Sequence, residues 1–425
     1  MVNSKMPPLE SIGQRARSAS RKLAKTSSAV REKALVGISD SLEKNIGKIT
    51  AANQKDIKNG RDTGLNDSVL GRLTLSPEKI KAIAKDVQTI SKIPDPLLGT
   101  FDETIVPNGL QVAKRRVPLG VIGVIYESRP NVTVDIVSLC IKSGNAVILR
   151  GGKEAFNSNM ALATLIKDSI SESGIPSDAV QFIESTDRDL VTKLLSMKKY
   201  IDLMIPRGGE ALVRRVASEA SMPAVTGGVG VCHIYVDASA DLDMAVEIGN
   251  NSKLSRVYAC NALDTVLVHS SVASEYLPAQ FDQWASSGVE CRCDERAMKI
   301  LANANRNGSV PAMENDWGME FLSLTVAIKV VDSIDEAIKH IEVFGSGHTD
   351  AIVTNDESMS SKFLDEVDTG VVVVNASTTF NDGGQLGLGA EVAISTNKLH
   401  ARGPMGVKEL TSYKWTVLGT GQVRD

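Results

Sequence analysis

The sequence predicts an α/β protein built from two successive parallel-sheet domains. Three observations carry this. From residue 117 onward, short apolar runs take turns with helical stripes. The runs are continuous rather than alternating apolar and polar, which means strands buried on both faces. Strand and helix in turn give a doubly wound, Rossmann-like layout, and two of the strands end in a glycine pair that leads into a helix. At 425 residues the chain is long enough for two or three compact units.

The elements follow in order. The first hundred residues read as helix: Ser28 opens one as a plausible N-cap, followed by good helix formers. Gly60, Gly64 and Pro94-Asp95-Pro96 punctuate this region. Thr104 to Arg116 reads as a hairpin-like arm, and Val117 to Tyr126 as a buried strand. Ala146 to Leu149 is another strand. The helix from about Asn157 to Ser171 carries Leu162, Leu165, Ile166 and Ile170 on one stripe. Strand Val180–Ile183, a helix through Leu190–Leu195, strand Ile201–Ile205 and a helix from Glu210 to Ala220 complete the set. A second alternating set starts at Val231–Val236, passes through the Cys260 segment and ends at Gly370–Asn375. The glycine-rich tail after Gly383 reads as peripheral. Either it or the hairpin suits an arm that docks on a partner subunit.

The bulk numbers exclude several function classes. Apolar residues are 42% and charged residues 23%, an ordinary globular composition. A net charge of −4 gives no basic field for nucleic acid. Met1 to Glu10 has no apolar signal-peptide core, and stretches such as Leu119 to Tyr126 are too short to span a bilayer. Five scattered cysteines suggest reduced thiols and a cytoplasmic location. Cys291 and Cys293 lack a nearby histidine, so no metal site is expected.

Four polar stretches carry candidate chemistry. In Leu149-Arg150-Gly151-Gly152-Lys153-Glu154 a strand ends, two glycines turn the chain and a helix follows. That suits a nucleotide phosphate or ribose, or it is an ordinary strand-to-helix turn. Ile205-Pro206-Arg207-Gly208-Gly209-Glu210 repeats the logic. Neither is the Gly-x-Gly-x-x-Gly fingerprint. Thr226 to Gly230 is also glycine-rich, but no helix follows, so it reads as a turn near an interdomain cleft. Glu127 to Thr133 bunches polar residues at a strand end: Asn131 is a candidate oxyanion donor, and Arg129 a candidate for a phosphoryl or carboxylate group. The late cluster Asn375 to Gly384 sets small hydroxyl residues after a Val-rich strand. His348 is the notable histidine, with substrate work or a structural role both open, and His233 ranks below it. Cys260 sits where a helix or loop hands over to the β-branched run Thr265–Val268, so it is either a buried structural thiol or a nucleophile.

Tyr126 to Asp135 and Lys142 to Gly152 resemble the γ-glutamyl phosphate reductase family, within the aldehyde dehydrogenase superfamily. So do Cys260-Asn261-Ala262, Gly347 to Ile352, and the tail from Glu391 through His400-Ala401-Arg402-Gly403-Pro404 to Trp415. The resemblance implies an aldehyde-dehydrogenase-like fold. Residues 1–230 would form the NADPH-binding domain, with hairpin 104–116 part of a small oligomerisation arm. Residues 231–375 would form the catalytic domain holding Cys260, and 376–425 would complete the substrate pocket and the arm. It implies reduction of L-glutamate 5-phosphate by NADPH to the semialdehyde, through a cysteine thioester, in proline biosynthesis. Cys260 and Asn131 would be catalytic. Arg150, Gly151, Gly152, Lys153, Pro206, Arg207, Gly208 and Gly209 would hold the cofactor. Arg129, His348, Asn375, Ser377, Thr378 and Arg402 would face substrate. The implied partners are a separate glutamate 5-kinase upstream and further copies of the chain, with neither nucleic acid nor membrane.

Three stretches depart from the family pattern. Thr226 to Gly230 stands where the family usually has Gly-His-x-Asp-Gly, and Thr379 where it usually has arginine. Arg256-Val257-Tyr258-Ala259 replaces a glycine-rich or proline-containing approach to the nucleophile. They keep two alternatives open: a reductase of another acyl phosphate or thioester, and a weakened paralogue with a binding role. No glutamate lies in Thr226–Cys232, where hydrolytic members carry a general base. Phosphate-releasing reduction needs none.

Overall fold

In the computed structural model, which describes residues 7–225, 227 and 229–424, the polar first hundred residues fold as five helices. They are α1 (Leu9–Leu23), α2 (Ser28–Lys44), α3 (Ile46–Asp62), α4 (Asp67–Leu73) and α5 (Pro77–Lys92). Ser27, Asn66 and Ser76 cap α2, α4 and α5, each side-chain oxygen accepting a main-chain N–H three residues on. The cap of α2 is therefore Ser27, not Ser28, whose hydroxyl donates to Glu32.

An antiparallel hairpin follows, β1 (Thr100–Ile105) and β2 (Gln111–Pro118). The first parallel sheet then alternates β3 (Val121–Tyr126), α6 (Asn131–Lys142), β4 (Ala146–Gly151), α7 (Phe156–Glu172), β5 (Val180–Phe182), α8 (Asp189–Leu195), β6 (Leu203–Arg207) and α9 (Glu210–Glu219). Its strand order is β5-β4-β3-β6. The chain leaves β3 in both directions, which makes the carboxyl ends of β3 and β6 the topological switch point where ligands bind in open sheets. Every residue of β3 and β4 is buried, as their unbroken apolar runs demand.

The second sheet alternates β7 (Cys232–Val236), α10 (Leu242–Leu254), β8 (Leu263–His269), α11 (Ala273–Ser286), β9 (Glu290–Cys293), α12 (Glu295–Asn303), β10 (Val310–Pro311), β11 (Thr325–Val331), α13 (Ile334–Phe344), β12 (Thr349–Val353), α14 (Glu357–Glu366) and β13 (Val371–Val374). The order is β10-β9-β11-β8-β7-β12-β13, parallel throughout. Ile234, Val236, Val266 and Val268 pack into one core, and Tyr235, Leu267, Val331 and Ile352 into another, so successive strand residues serve opposite faces. A small pair, β14 (Ile394–Ser395) with β15 (Gly403–Pro404), and the strand β16 (Thr411–Leu418) end the chain. β16 pairs antiparallel with β2.

Two compact units result. One holds residues 1–226, 387–393 and 405–425; the other holds 227–386 and 394–404. The tail after residue 386 thus serves both units in turn. Among the described residues, no helix is long and apolar enough to cross a membrane, and no group of three or more His, Cys, Asp or Glu side chains is placed to hold a metal ion.

Candidate active site

The two glycine turns lie at one edge of the first sheet, after β4 and after β6. Pro206 and Arg207 belong to β6 itself, and Gly151 to β4. A side chain added at three of these glycines would have to push a neighbouring side-chain end aside. A Cβ on Gly151 would stand 2.2 Å from Asn159 Nδ2, one on Gly152 2.2 Å from Glu154 Oε1, and one on Gly208 2.4 Å from Glu127 Oε2. Gly209 has open space around it. Two carboxylates overlook the turns. Glu154 accepts the Ser128 N–H at 2.6 Å, and Glu127 accepts the Gly209 N–H at 3.1 Å. Arg150 is buried and turned inward, donating to the Thr186 carbonyl at 3.3 Å, whereas Lys153 is exposed and Arg207 half-buried. Carboxylates beside the exposed Lys153 and the half-buried Arg207 suit ribose hydroxyls with a phosphate next to them, so the residues present fit a nicotinamide dinucleotide.

The polar turn after β3 exposes Arg129 and starts α6 at Asn131. Asn131 does not cap its helix; its Nδ2 donates to Asp135 Oδ2 at 2.9 Å, one turn on. Burial pushes the Asp135 carboxyl up to about 7, with the Asn131 hydrogen bond and Arg207 acting against the rise and Asp86 adding to it.

Cys260 stands in the turn between α10 and β8, at the amino end of the second sheet. It is partly exposed, while Cys140, Cys232, Cys291 and Cys293 are buried. The turn is tight: the Ala259 N–H donates to the Arg256 carbonyl at 3.0 Å, and the Ala262 N–H to the Ala259 carbonyl at 3.0 Å. Its floor is the start of β7. The Cys232 thiol donates to the Cys260 carbonyl at 3.2 Å, and a Cβ on Gly230 would lie 1.6 Å from that carbonyl oxygen. Asp264 accepts the main-chain N–H groups of Cys232 at 3.3 Å and Phe321 at 3.0 Å, and burial raises it to about 6. Lys253, buried near Asp264 and lowered to about 8 by that burial, donates to the Leu263 carbonyl at 2.8 Å.

His348 lies behind this turn rather than on the surface. It is fully buried, burial holds it down to about 4, and its Nδ1 meets the Thr349 hydroxyl at 2.7 Å. The imidazole is therefore neutral at physiological pH. Asn381 Nδ2 donates to the same hydroxyl at 2.7 Å. His233 is likewise buried, with its Nδ1 2.8 Å from Asp350 Oδ1.

The late cluster joins the Cys260 turn through hydrogen bonds within the second unit. The Thr378 hydroxyl donates to the Asn261 carbonyl at 2.7 Å, and Asn261 Nδ2 donates to the Asn381 carbonyl at 3.0 Å. The Ser377 hydroxyl lies 2.9 Å from Ser252 and 2.7 Å from Thr379. Asn375 spends its amide on both main-chain groups of Thr354, at 2.9 Å each, in a left-handed conformation with φ 53°. Arg402 pairs with Asp368 at 2.8 Å, and Arg256 with Asp382 at 2.8 Å. The structure thus gathers Cys260, Ser377, Thr378 and His348 around one turn. Of the Thr226–Gly230 turn, Thr226 and Gly228 lie outside the described residues.

Sequence reasoning missed Cys232, Asp264 and Asp135, and reached Gly230 and Asn381 only as members of their stretches. Gly230 carried a signal, as one of a glycine run, but nothing local marked its contact with Cys260.

The aldehyde dehydrogenase family model matches residues 5–300. A γ-glutamyl phosphate reductase of Roseiflexus castenholzii is 53% identical, covering 99% of this chain and 100% of its own. One from Salmonella agona is 48% identical, covering 98% of this chain and all of its own. The crystal structure of γ-glutamyl phosphate reductase from Thermotoga maritima superposes with a TM-score of 0.95 at 42% identity, covering 98% of this chain and 100% of that one.

Proposed function

Because this chain belongs to the aldehyde dehydrogenase family, and within it to the γ-glutamyl phosphate reductases, we propose that it reduces L-glutamate 5-phosphate to L-glutamate 5-semialdehyde, with release of phosphate, in proline biosynthesis. The single observation that carries the mechanism is the Cys260 turn: one partly exposed thiol, on a main chain pinned from below by Gly230 and Cys232.

The Cys260 sulfur attacks the acyl carbon and phosphate leaves with the bonding pair, so a thioester remains on the enzyme. Asn131 takes the role of donor to the developing oxyanion, with a main-chain N–H of the Cys260 turn as the second donor. NADPH, when bound, supplies the hydride that reduces the thioester to the aldehyde. Pro206, the two glycine pairs and the side chains of Lys153 and Arg207 would form its cradle, with the exposed Lys153 suited to the 2′-phosphate and the inward-turned Arg150 holding the loop at Thr186 behind it. Arg129, Ser377, Thr378, Asn375 and Arg402 are assigned to substrate. His348, wholly buried, acts from behind by fixing Thr349 and the floor of the turn. The enzyme works in the cytoplasm as a homo-oligomer, on substrate made by a separate kinase.

The test is the reverse reaction: NADP⁺ reduction by glutamate 5-semialdehyde, dependent on added phosphate, and lost in Cys260→Ala. A Cys260→Ala enzyme with full activity would falsify the thioester route. A second reading, reduction of another acyl phosphate or thioester, draws on Thr379. This short hydroxyl bonds to Ser377 and Asn251 and offers no charge to a carboxylate. A panel of acyl donors with NADPH separates the two readings, and preference for the glutamyl donor ends the second.

A further inference from the structure

We infer that Asp135 is a positioning residue, a latch that fixes which way the Asn131 amide faces. The inference rests on the reading of Asn131 as oxyanion donor.

The geometry is specific. Asn131 is the first residue of α6, one past the N-cap position that Pro130 holds, so its side chain is not called on to cap the helix. The amide runs forward instead, and its Nδ2 donates to Asp135 Oδ2 at 2.9 Å. The i,i+4 spacing puts both side chains on one helix face. Asp135 is the only acid in a helix whose other residues, up to Lys142, are uncharged, and it costs stability where it stands, because burial opposes its ionised form.

In its ionised form Asp135 accepts hydrogen bonds and donates none. With the carboxyl raised to about 7, that form prevails on the alkaline side of neutrality, so the latch is set as the pH rises through that value. The Asn131 oxygen is therefore repelled from Asp135, and the nitrogen is held toward it. With one N–H engaged, the second N–H has a fixed direction in the amide plane and is left for a ligand. Without the latch the amide is free to flip, and half of its orientations present an oxygen to an oxyanion. Oxyanion donors stabilise the transition state only when they are already aimed.

The groups around Asp135 fit this role. From α5 comes Asp86, which opposes ionisation, and from the end of β6 comes Arg207, which favours it. Packed from α2, Glu32 is taken by Lys142 at the other end of the helix, at 3.1 Å. From α7, Asn159 is bonded to Thr133 at 3.1 Å. No neighbour among these competes for the Asn131 amide.

A double-mutant cycle in the full-length enzyme, read in the phosphate-dependent reverse assay, tests the inference. Asp135→Leu removes the acceptor at similar volume, Asp135→Asn keeps an acceptor oxygen, and Asn131→Ala removes the donor. Asn131→Ala should lower kcat by about 10²-fold. Asp135→Leu should lower kcat by roughly tenfold or more, with KM for both substrates little changed. Asp135→Asn, which offers a donor beside its acceptor oxygen and so fixes the amide only in part, should recover only part of that loss. Added to Asn131→Ala, the Asp135→Leu change should cost nothing further. Equal losses in both backgrounds, or a loss seen in KM alone, would overturn the latch while leaving the Asn131 role intact. Full kcat in Asn131→Ala would instead remove the oxyanion role, and the latch with it. Should Asp135→Leu fail to fold, Asp135→Ala takes its place in the cycle.

Discussion

Gly230 shows what a single missing side chain does. Its Cα lies against the main chain of Cys260, and a Cβ there would stand 1.6 Å from the Cys260 carbonyl oxygen. The atom in the way is backbone, so it cannot swing aside as a side-chain end does. Gly230→Ala must displace the turn that carries the thiol. We expect kcat to fall by about 10²-fold, on the scale of an ångström-sized misplacement of a reacting group. Gly209→Ala is the matched control: nothing lies within 4 Å of its added Cβ, and its φ of −67° is ordinary. Its unfolding free energy should change by less than about 1 kcal/mol. Urea unfolding midpoints of the two variants and the reverse-assay rate of Gly230→Ala decide the matter; a fully active Gly230→Ala would remove the packing argument. The sequence reveals the glycine run and a thiol at the entrance to a strand. It does not reveal that the two touch, because contacts between distant stretches leave no local pattern. His348 was visible as a candidate for the same reason that it misled: its neighbours look polar, while the fold buries it.

Helix α7 draws its N-terminal partner from another helix. Asp56 on α3 is buried and accepts the main-chain N–H of Asn157 at 3.1 Å and of Ser158 at 2.7 Å, as well as the Asn157 amide and the Ser158 hydroxyl. It serves as a cap supplied from a distance, satisfying first-turn donors that the local chain leaves open. Asp56→Ala strands those donors in the interior and should cost about 2–3 kcal/mol. Asp56→Asn, which still accepts, should cost less. Equal unfolding midpoints for the alanine variant and the wild type would show that the cap contributes nothing. Such a cap is illegible in sequence, whereas the strands it supports are plain. Val121–Tyr126 and Ala146–Gly151 announce themselves by continuous β-branched and apolar residues, since both of their faces are covered. Leu203–Arg207 ran past its expected end because Pro206 breaks the apolar pattern without breaking the strand. The short β9 strand, Glu290–Cys293, is half polar and gave no period to read.

At the scale of the whole molecule, the arm is the part whose chemistry is unfinished. Strands β1, β2 and β16 form a three-stranded sheet, joining residues from the first third of the chain to its last strand. Such a small sheet needs one face covered to be stable. Here Trp415 is 60% exposed, Val417 54%, Leu418 66% and Ile105 72%. Tyr413, Trp415 and Val417 alternate onto one face. The Lys114 ammonium lies 4.8 Å from the Tyr413 ring centre and 4.9 Å from that of Trp415, which leaves Val417 beyond its cover. Trp415 and Val417 share that face, whereas Leu418 and Ile105, both opposite Gln111, lie on the other. Exposed apolar residues side by side, as Trp415 and Val417 are, mark association surfaces. If the homo-oligomer forms through this arm, a charge at Val417 must be desolvated in the assembly but not in the single chain. Val417→Lys should therefore leave the unfolding midpoint of the isolated chain nearly unchanged, because an exposed substitution costs within about 0.5 kcal/mol. It should shift the mass seen by light scattering from an oligomer to one chain. An unchanged mass in the variant, or a wild-type protein that is already a monomer, would exclude the arm as the contact that holds the copies together.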